Sequence, residues 1–65
     1  MKISTKRIKV CLARNKITFK ELADKCGMAN QSISSIMKRG SCAPKTAGLI
    51  ADALGVDVLE IILTE

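Results

Sequence analysis

The sequence predicts an all-α domain of five short helices. Three observations carry this. Apolar residues recur at i, i+3 and i+4 in four successive segments, the spacing of one helix face. No segment sustains the apolar–polar alternation of a strand, and Phe19 is the only aromatic residue among 65, a composition poor in strand formers. Helix start and stop residues punctuate the chain at regular intervals: Ser4, Thr18, Pro44 and Asp57 at starts, Gly27, Gly40 and Gly55 at ends.

Each element follows from those signals. Ser4 or Thr5 can cap a first helix reaching about Arg14, with Ile8, Cys11 and Leu12 inward. Thr18 and Glu21 form a capping box, in which the hydroxyl serves the amide of Glu21 and the carboxylate reaches back. The second helix then buries Phe19, Leu22, Ala23 and Cys26 and stops at Gly27, a residue free to turn left-handed. A third helix spans residues 30–38 with Ile33, Ile36 and Met37 inward. Lys38 and Arg39 complement the dipole of its last turn, and Gly40 follows. Pro44 suits the first turn of a fourth helix, which buries Ala47, Ile50, Ala51 and Leu54. Ala43 stands where a Ser or Thr cap would be usual, a loss of about 1 kcal/mol. Asp57 and Glu60 start a fifth helix through Leu59, Ile62 and Leu63.

The bulk properties narrow the function. With 65 residues, 48% hydrophobic and 26% charged, the chain forms one domain, residues 1–65. So short a chain buries only about 60% of its unfolded surface, leaving a thin stability margin. No stretch approaches a membrane span, and the N-terminal lysines are not followed by the apolar run of a signal peptide. The expected location is the cytoplasm. All eleven Lys and Arg residues lie in residues 1–45, against only Glu21 and Asp24. Residues 46–65 carry Asp52, Asp57, Glu60 and Glu65 and no base. The basic portion should attract a polyanion, and the acidic portion should face away from it. Cys11, Cys26 and Cys42 are widely spaced and His is absent. That disfavours a structural metal site or a disulfide scaffold and fits free thiols acting as small apolar groups. Cys42, expected on a loop, is the one thiol placed for any redox sensing. No cofactor is implied. Without His, a nucleophile pair, clustered carboxylates or a Gly-rich phosphate loop, an enzyme is not expected.

The second and third segments carry the functional signal. The few residues around Gly27 force a steep crossing between their helices. Ala23 is small where the next helix crosses, Gly27 makes the turn, and Ile33 and Ile36 plug the third helix into the core. This is the residue pattern of a helix-turn-helix. The stretch TFKELADKCGMANQSISSIM, followed by APKTAGLIADALGVDVLEII, resembles the Cro/CI-type helix-turn-helix family of phage-repressor-like, XRE-type regulators, over roughly residues 4–63. The resemblance implies a compact lambda-repressor-like fold that binds operator DNA, usually as a two-fold dimer, with repression the expected effect. Neither a membrane nor a small-molecule ligand is implied.

Site residues can be named from the helix face and the resemblance together. With Ile33, Ile36 and Met37 inward, Asn30, Gln31, Ser34, Ser35 and Lys38 lie on or beside the opposite face, and Ala29 precedes them. The resemblance puts these positions in the major groove. Gln and Asn can bond bidentately to adenine, Ser can donate or accept at several base edges, and the Ala29 methyl can meet thymine. Ala29, Asn30, Gln31, Ser34 and Ser35 are therefore the candidate base contacts. Candidate phosphate contacts are the backbone at Phe19, at the second helix's N-terminus, with Lys20, Lys38, Arg39, Ser41 and Lys45. Many relatives have a phosphate-contacting Gln where this chain has Phe19, and that side-chain contact does not carry over. Gly40 also comes one residue later than in many relatives, which extends the third helix. Lys2, Lys6, Lys9 and Arg14 form a basic N-terminal group, facing DNA or only adding solubility.

The segment GVDVLEIIL holds more apolar residues than one short helix can turn inward. If Leu59 and Ile62 face the core, Val58, Ile61 or Leu63 is left as a partner surface, and the resemblance implies a homodimer seam there. A second reading is a protein-interaction module on the same fold, such as an antitoxin or assembly factor. RNA binding is disfavoured, because single-strand readers stack bases on aromatics and Phe19 is placed for the core.

Overall fold

The computed structural model describes residues 1–63. Glu65, counted above in the acidic portion, lies outside them. Four α-helices form in the order expected: α1 (Thr5–Asn15), α2 (Phe19–Cys26), α3 (Asn30–Arg39) and α4 (Pro44–Leu54). A fifth α-helix does not form. A single 3₁₀ turn, Val58–Glu60, takes its place.

Local chemistry sets most boundaries. Ser4 caps α1, its hydroxyl accepting from the Arg7 amide at 3.2 Å. The Thr18–Glu21 capping box forms in both directions: the Thr18 hydroxyl accepts from the Glu21 amide and the Glu21 carboxylate from the Thr18 amide. Helices α1, α2 and α4 end alike. Their caps, Lys16, Gly27 and Gly55, are left-handed, and the following residue bonds back across the last turn. Ile17 donates to Leu12 at 3.1 Å, Met28 to Ala23 at 2.9 Å, and Val56 to Ala51 at 3.1 Å. The paired bonds satisfy carbonyls that a helix end leaves open. Ile17, Met28 and Val56 then pack against the core.

The core gathers one face of every helix. Ile8, Leu22, Ile33, Ile50 and Ile61 are fully buried, with Cys11, Leu12, Ala23, Ile36, Ala51 and Leu54 around them. Phe19, Cys26 and Met37, expected inward, are half-buried at its margin.

The N-terminal segment adds a feature that helical periodicity does not show. Residues 1–3 run extended between two other segments, through isolated antiparallel bridges Lys2–Ser41 and Ile3–Ile62. On one side Ile3 donates to the Gly40 carbonyl and Cys42 to that of Met1, each at 2.9 Å. On the other, Ser4 donates to Ile61 at 2.7 Å and Leu63 to Lys2 at 3.0 Å.

These bonds explain why the chain end is not a helix. Asp57 does cap the turn, its carboxylate accepting from the Leu59 amide at 2.9 Å. After Glu60 the backbone is drawn into pairing with residues 2–4. In a 3₁₀ turn side chains three apart share a side, so Val58 and Ile61 turn inward together. Ile61 is 0% exposed and Leu59 64%, the reverse of the expected phase. Ile61 is thus a core residue and not a surface one. Val58 and Ile62 are half-buried, and Leu63 is 49% exposed.

Candidate nucleic-acid interface

Helix α3 is anchored by Ile33 and Ile36, and its other faces are open. Asn30, Gln31, Ser34, Ser35 and Lys38 are all exposed, as is Ala29 before them. The chain reaches α3 through three residues after α2. Gly27 supplies the left-handed turn at φ 71°, and the Met28–Ala23 bond closes it. The helix begins at Ala29, whose methyl offers no side-chain cap. It ends at Gly40, φ 70°, whose amide donates to Ile36 at 2.8 Å. Arg39 therefore belongs to the helix, as the late glycine predicts.

Two hollows flank this helix. The larger, an open cleft of about 910 Å³, lies toward α4 and is lined by Ser32, Ser35, Arg39, Ser41 and Thr46, among others. The smaller, about 310 Å³, lies toward α1 and α2 and includes Ser34. Ser34 and Ser35 thus face opposite sides. Lys38 borders both hollows, which puts it on the crest between them. Gln31 borders neither and stands free near the start of the helix.

The expected phosphate residues divide between these flanks. Arg39 and Ser41 line the larger cleft, where Ser41 is half-buried and its backbone pairs with Lys2. Lys45 is exposed on the first turn of α4, which Ala43 leaves without a side-chain cap. Lys20 is exposed beside the half-buried Phe19. There Thr18 engages the amides of Glu21 and Leu22, leaving those of Phe19 and Lys20 at the helix end.

Met28, Ser32 and Thr46 line the larger cleft and Thr5 the smaller, and none of these four was among the candidates; Lys9, which also lines the smaller, belongs to the basic N-terminal group whose facing the sequence left open. The signal for Ser32 was its spacing: it lies seven residues before Arg39, on one flank of α3. For Lys9 the signal was its charge in the N-terminal group, but which way it faces depends on how α1 packs.

Cys42 also lines the larger cleft. Partial burial pushes its thiol above the ordinary range, and the positive charges of the N-terminus and Arg39 offset part of this. Among the described residues, no group of three or more His, Cys, Asp or Glu side chains could hold a metal ion. Among them too, no helix is long and apolar enough to cross a membrane.

A family model described as winged helix-turn-helix DNA-binding matches residues 3–62. The chain belongs to this family. The match spans all four helices, so the chain is a helix-turn-helix DNA-binding domain, with double-stranded DNA as its partner class. The family description includes a wing. Among the described residues the extended structure consists of the two isolated bridges, with no named strand. No curated protein and no solved structure matches the chain.

Proposed function

We propose that this helix-turn-helix domain is a sequence-specific transcriptional regulator of the Cro/CI type, acting in the cytoplasm as a repressor. It inserts α3 into the major groove of operator DNA. Gln31 reads a base edge, assisted by Ala29, Asn30, Ser34 and Ser35. Lys20, Lys38, Arg39, Ser41, Lys45 and the Phe19 backbone hold the phosphates. The observation that carries this is the exposed face of α3, uncharged from Ala29 to Ser35 and cationic at Lys38 and Arg39. Amide and hydroxyl groups discriminate base edges, whereas ammonium and guanidinium groups suit the groove's rim.

The regulator acts as a two-fold dimer in this reading. The seam uses Val58 and Leu63 with Leu59, which is more exposed than either; Ile61 has no part in it. Dimeric binding would favour half-sites about 10 base pairs apart.

The test is selection of bound sequences from random duplexes, followed by affinity against salt. A defined consensus is expected, with log K falling against log[salt] by about 0.9 per phosphate neutralised. Exposed Leu59 and Leu63 support the second reading, a protein-interaction module. Binding to a protein partner that ignores salt, with no consensus DNA, would favour that reading and overturn the first.

A further inference from the structure

The smaller hollow beside α3 has its own chemistry. It is lined by Thr5 and Lys9 of α1, Phe19 of α2, and Ser34, Met37 and Lys38 of α3. Its two cations, Lys9 and Lys38, are exposed, and Phe19 and Met37 are half-buried. Among the described residues, no carboxylate borders it. The Thr5 hydroxyl is already committed, donating to the Met37 carbonyl at 3.3 Å. The hollow therefore combines ammonium groups with an apolar floor. A nucleic-acid backbone alternates in the same way, with charged phosphates joined by sugars that present C–H groups.

We infer that this hollow receives the backbone of the DNA strand on the α1 side of the groove, and that Lys9 holds a phosphate there. This rests on the reading that α3 occupies the major groove. With α3 so placed, the two strands bordering the groove pass on either side of it. Arg39, Ser41 and Lys45 serve the strand on the α4 side. On the other side the Phe19 side chain has no donor to offer, and Lys38 on the crest is shared between both hollows. Lys9 is the cation that borders this hollow alone. Helix α1 then becomes part of the DNA-binding surface and fixes the tilt of α3 from the side.

The experiment compares wild type, Lys9→Ala and Arg14→Ala on a duplex carrying the selected consensus, across a salt series. Arg14 removes the same charge from the same helix but lines a different hollow, with Arg7, Val10 and Glu60. Lys9→Ala should weaken binding on the order of five-fold, flatten the salt slope by about 0.9, and leave the consensus unchanged. Arg14→Ala should leave the slope as in wild type. Duplexes bearing single neutral methylphosphonates then locate the contact. One such linkage should weaken wild type yet leave Lys9→Ala unaffected. Equal slopes for wild type and Lys9→Ala, or equal losses for the two variants, would overturn the assignment while DNA binding stands. A wild type with no salt-dependent duplex binding would remove both readings.

Discussion

The amide of Ile3 donates to the carbonyl of Gly40 across 2.9 Å, tying the N-terminal segment to the cap of α3. One residue on, Ser4 donates to Ile61 at 2.7 Å. Two chain regions far apart in sequence are thus joined through the splint of residues 1–4. The Ile3 side chain, 2% exposed, packs beneath it. Ile3→Ala should cost about 2–5 kcal/mol, the range for truncating a buried aliphatic. Total stabilities are only about 5–15 kcal/mol, so the urea midpoint should fall steeply. An unchanged midpoint would mean the segment is dispensable.

The end of the chain offers a sharper contrast. Ile61→Ala should destabilise by about 2–5 kcal/mol, because its side chain is enclosed. Leu59→Glu should leave the unfolding free energy of the monomer within about 0.5 kcal/mol of wild type, as surface changes do. If Leu59 lies in a dimer seam, Leu59→Glu should also convert a dimer to a monomer in sedimentation equilibrium. A large stability loss from Leu59→Glu with none from Ile61→Ala would reverse the assigned phase.

What the sequence revealed tracks the range of the interactions involved. The capping box at Thr18, the glycine turns and the inward faces of α1 to α4 are settled within a few residues, so pattern and spacing suffice. The exposed face of α3 follows from the same periodicity. The extended pairing of residues 1–3 depends on partners near residues 41 and 62, and three residues are too few to show a strand period. The phase of Leu59 and Ile61 departs from the helical expectation because a 3.6-residue period does not describe one 3₁₀ turn. The place of Lys9 depends on tertiary packing, which sets α1 against α4 and brings Lys9 to a hollow it shares with Phe19 and Ser34. Lys16 shows the same limit at a helix end, where no glycine announces the left-handed turn.

Lys16 closes α1 at φ 57° and ψ 43°, a conformation glycine adopts with no Cβ penalty. Its exposed side chain forms no bond that the turn requires; the Lys16 and Ile17 amides do that work. Lys16→Gly should therefore stabilise the fold by about 1 kcal/mol. In a domain of this size that raises the melting temperature by about 4–8 °C. Lys16→Val, β-branched at the same position, should lower it. A fall with Lys16→Gly would show that unfolded-chain entropy outweighs the relieved strain.

The thiols give a pH-dependent test. Burial raises the Cys26 thiol, and burial also raises Cys42 against the opposing nearby charges. Raised thiols are more protonated in the folded state than in the unfolded one. Their contribution to stability is therefore full below the ordinary thiol pKa of about 8.5 and is lost as pH rises through the folded values. Alkylation by iodoacetamide near pH 8 should be slower in the native protein than in urea at both residues, since the thiolate is the nucleophile. Cys11, buried in the core, should be protected most. Native rates equal to the unfolded ones at Cys26 and Cys42 would contradict the burial effect.

In the proposed reading, base reading and phosphate holding are separable by substitutions at Gln31 and Lys45. Gln31 is exposed near the free start of α3 and borders neither hollow, so its amide can approach a base edge. Lys45 is exposed on the first turn of α4, and an ammonium group there would hold a phosphate of any sequence alike in the proposed reading. Gln31→Ala should cost about 1–3 kcal/mol on the best sequence and relax preference at one position per half-site. Lys45→Ala should weaken all sequences together and flatten the salt slope by about one unit. Both are measured by repeating the random-duplex selection with each variant. If the Gln31→Ala consensus matches wild type, Gln31 is not a reader. If Lys45→Ala shifts a single base position, its role lies in discrimination, and the phosphates on the α4 side are held by Arg39 and Ser41 instead.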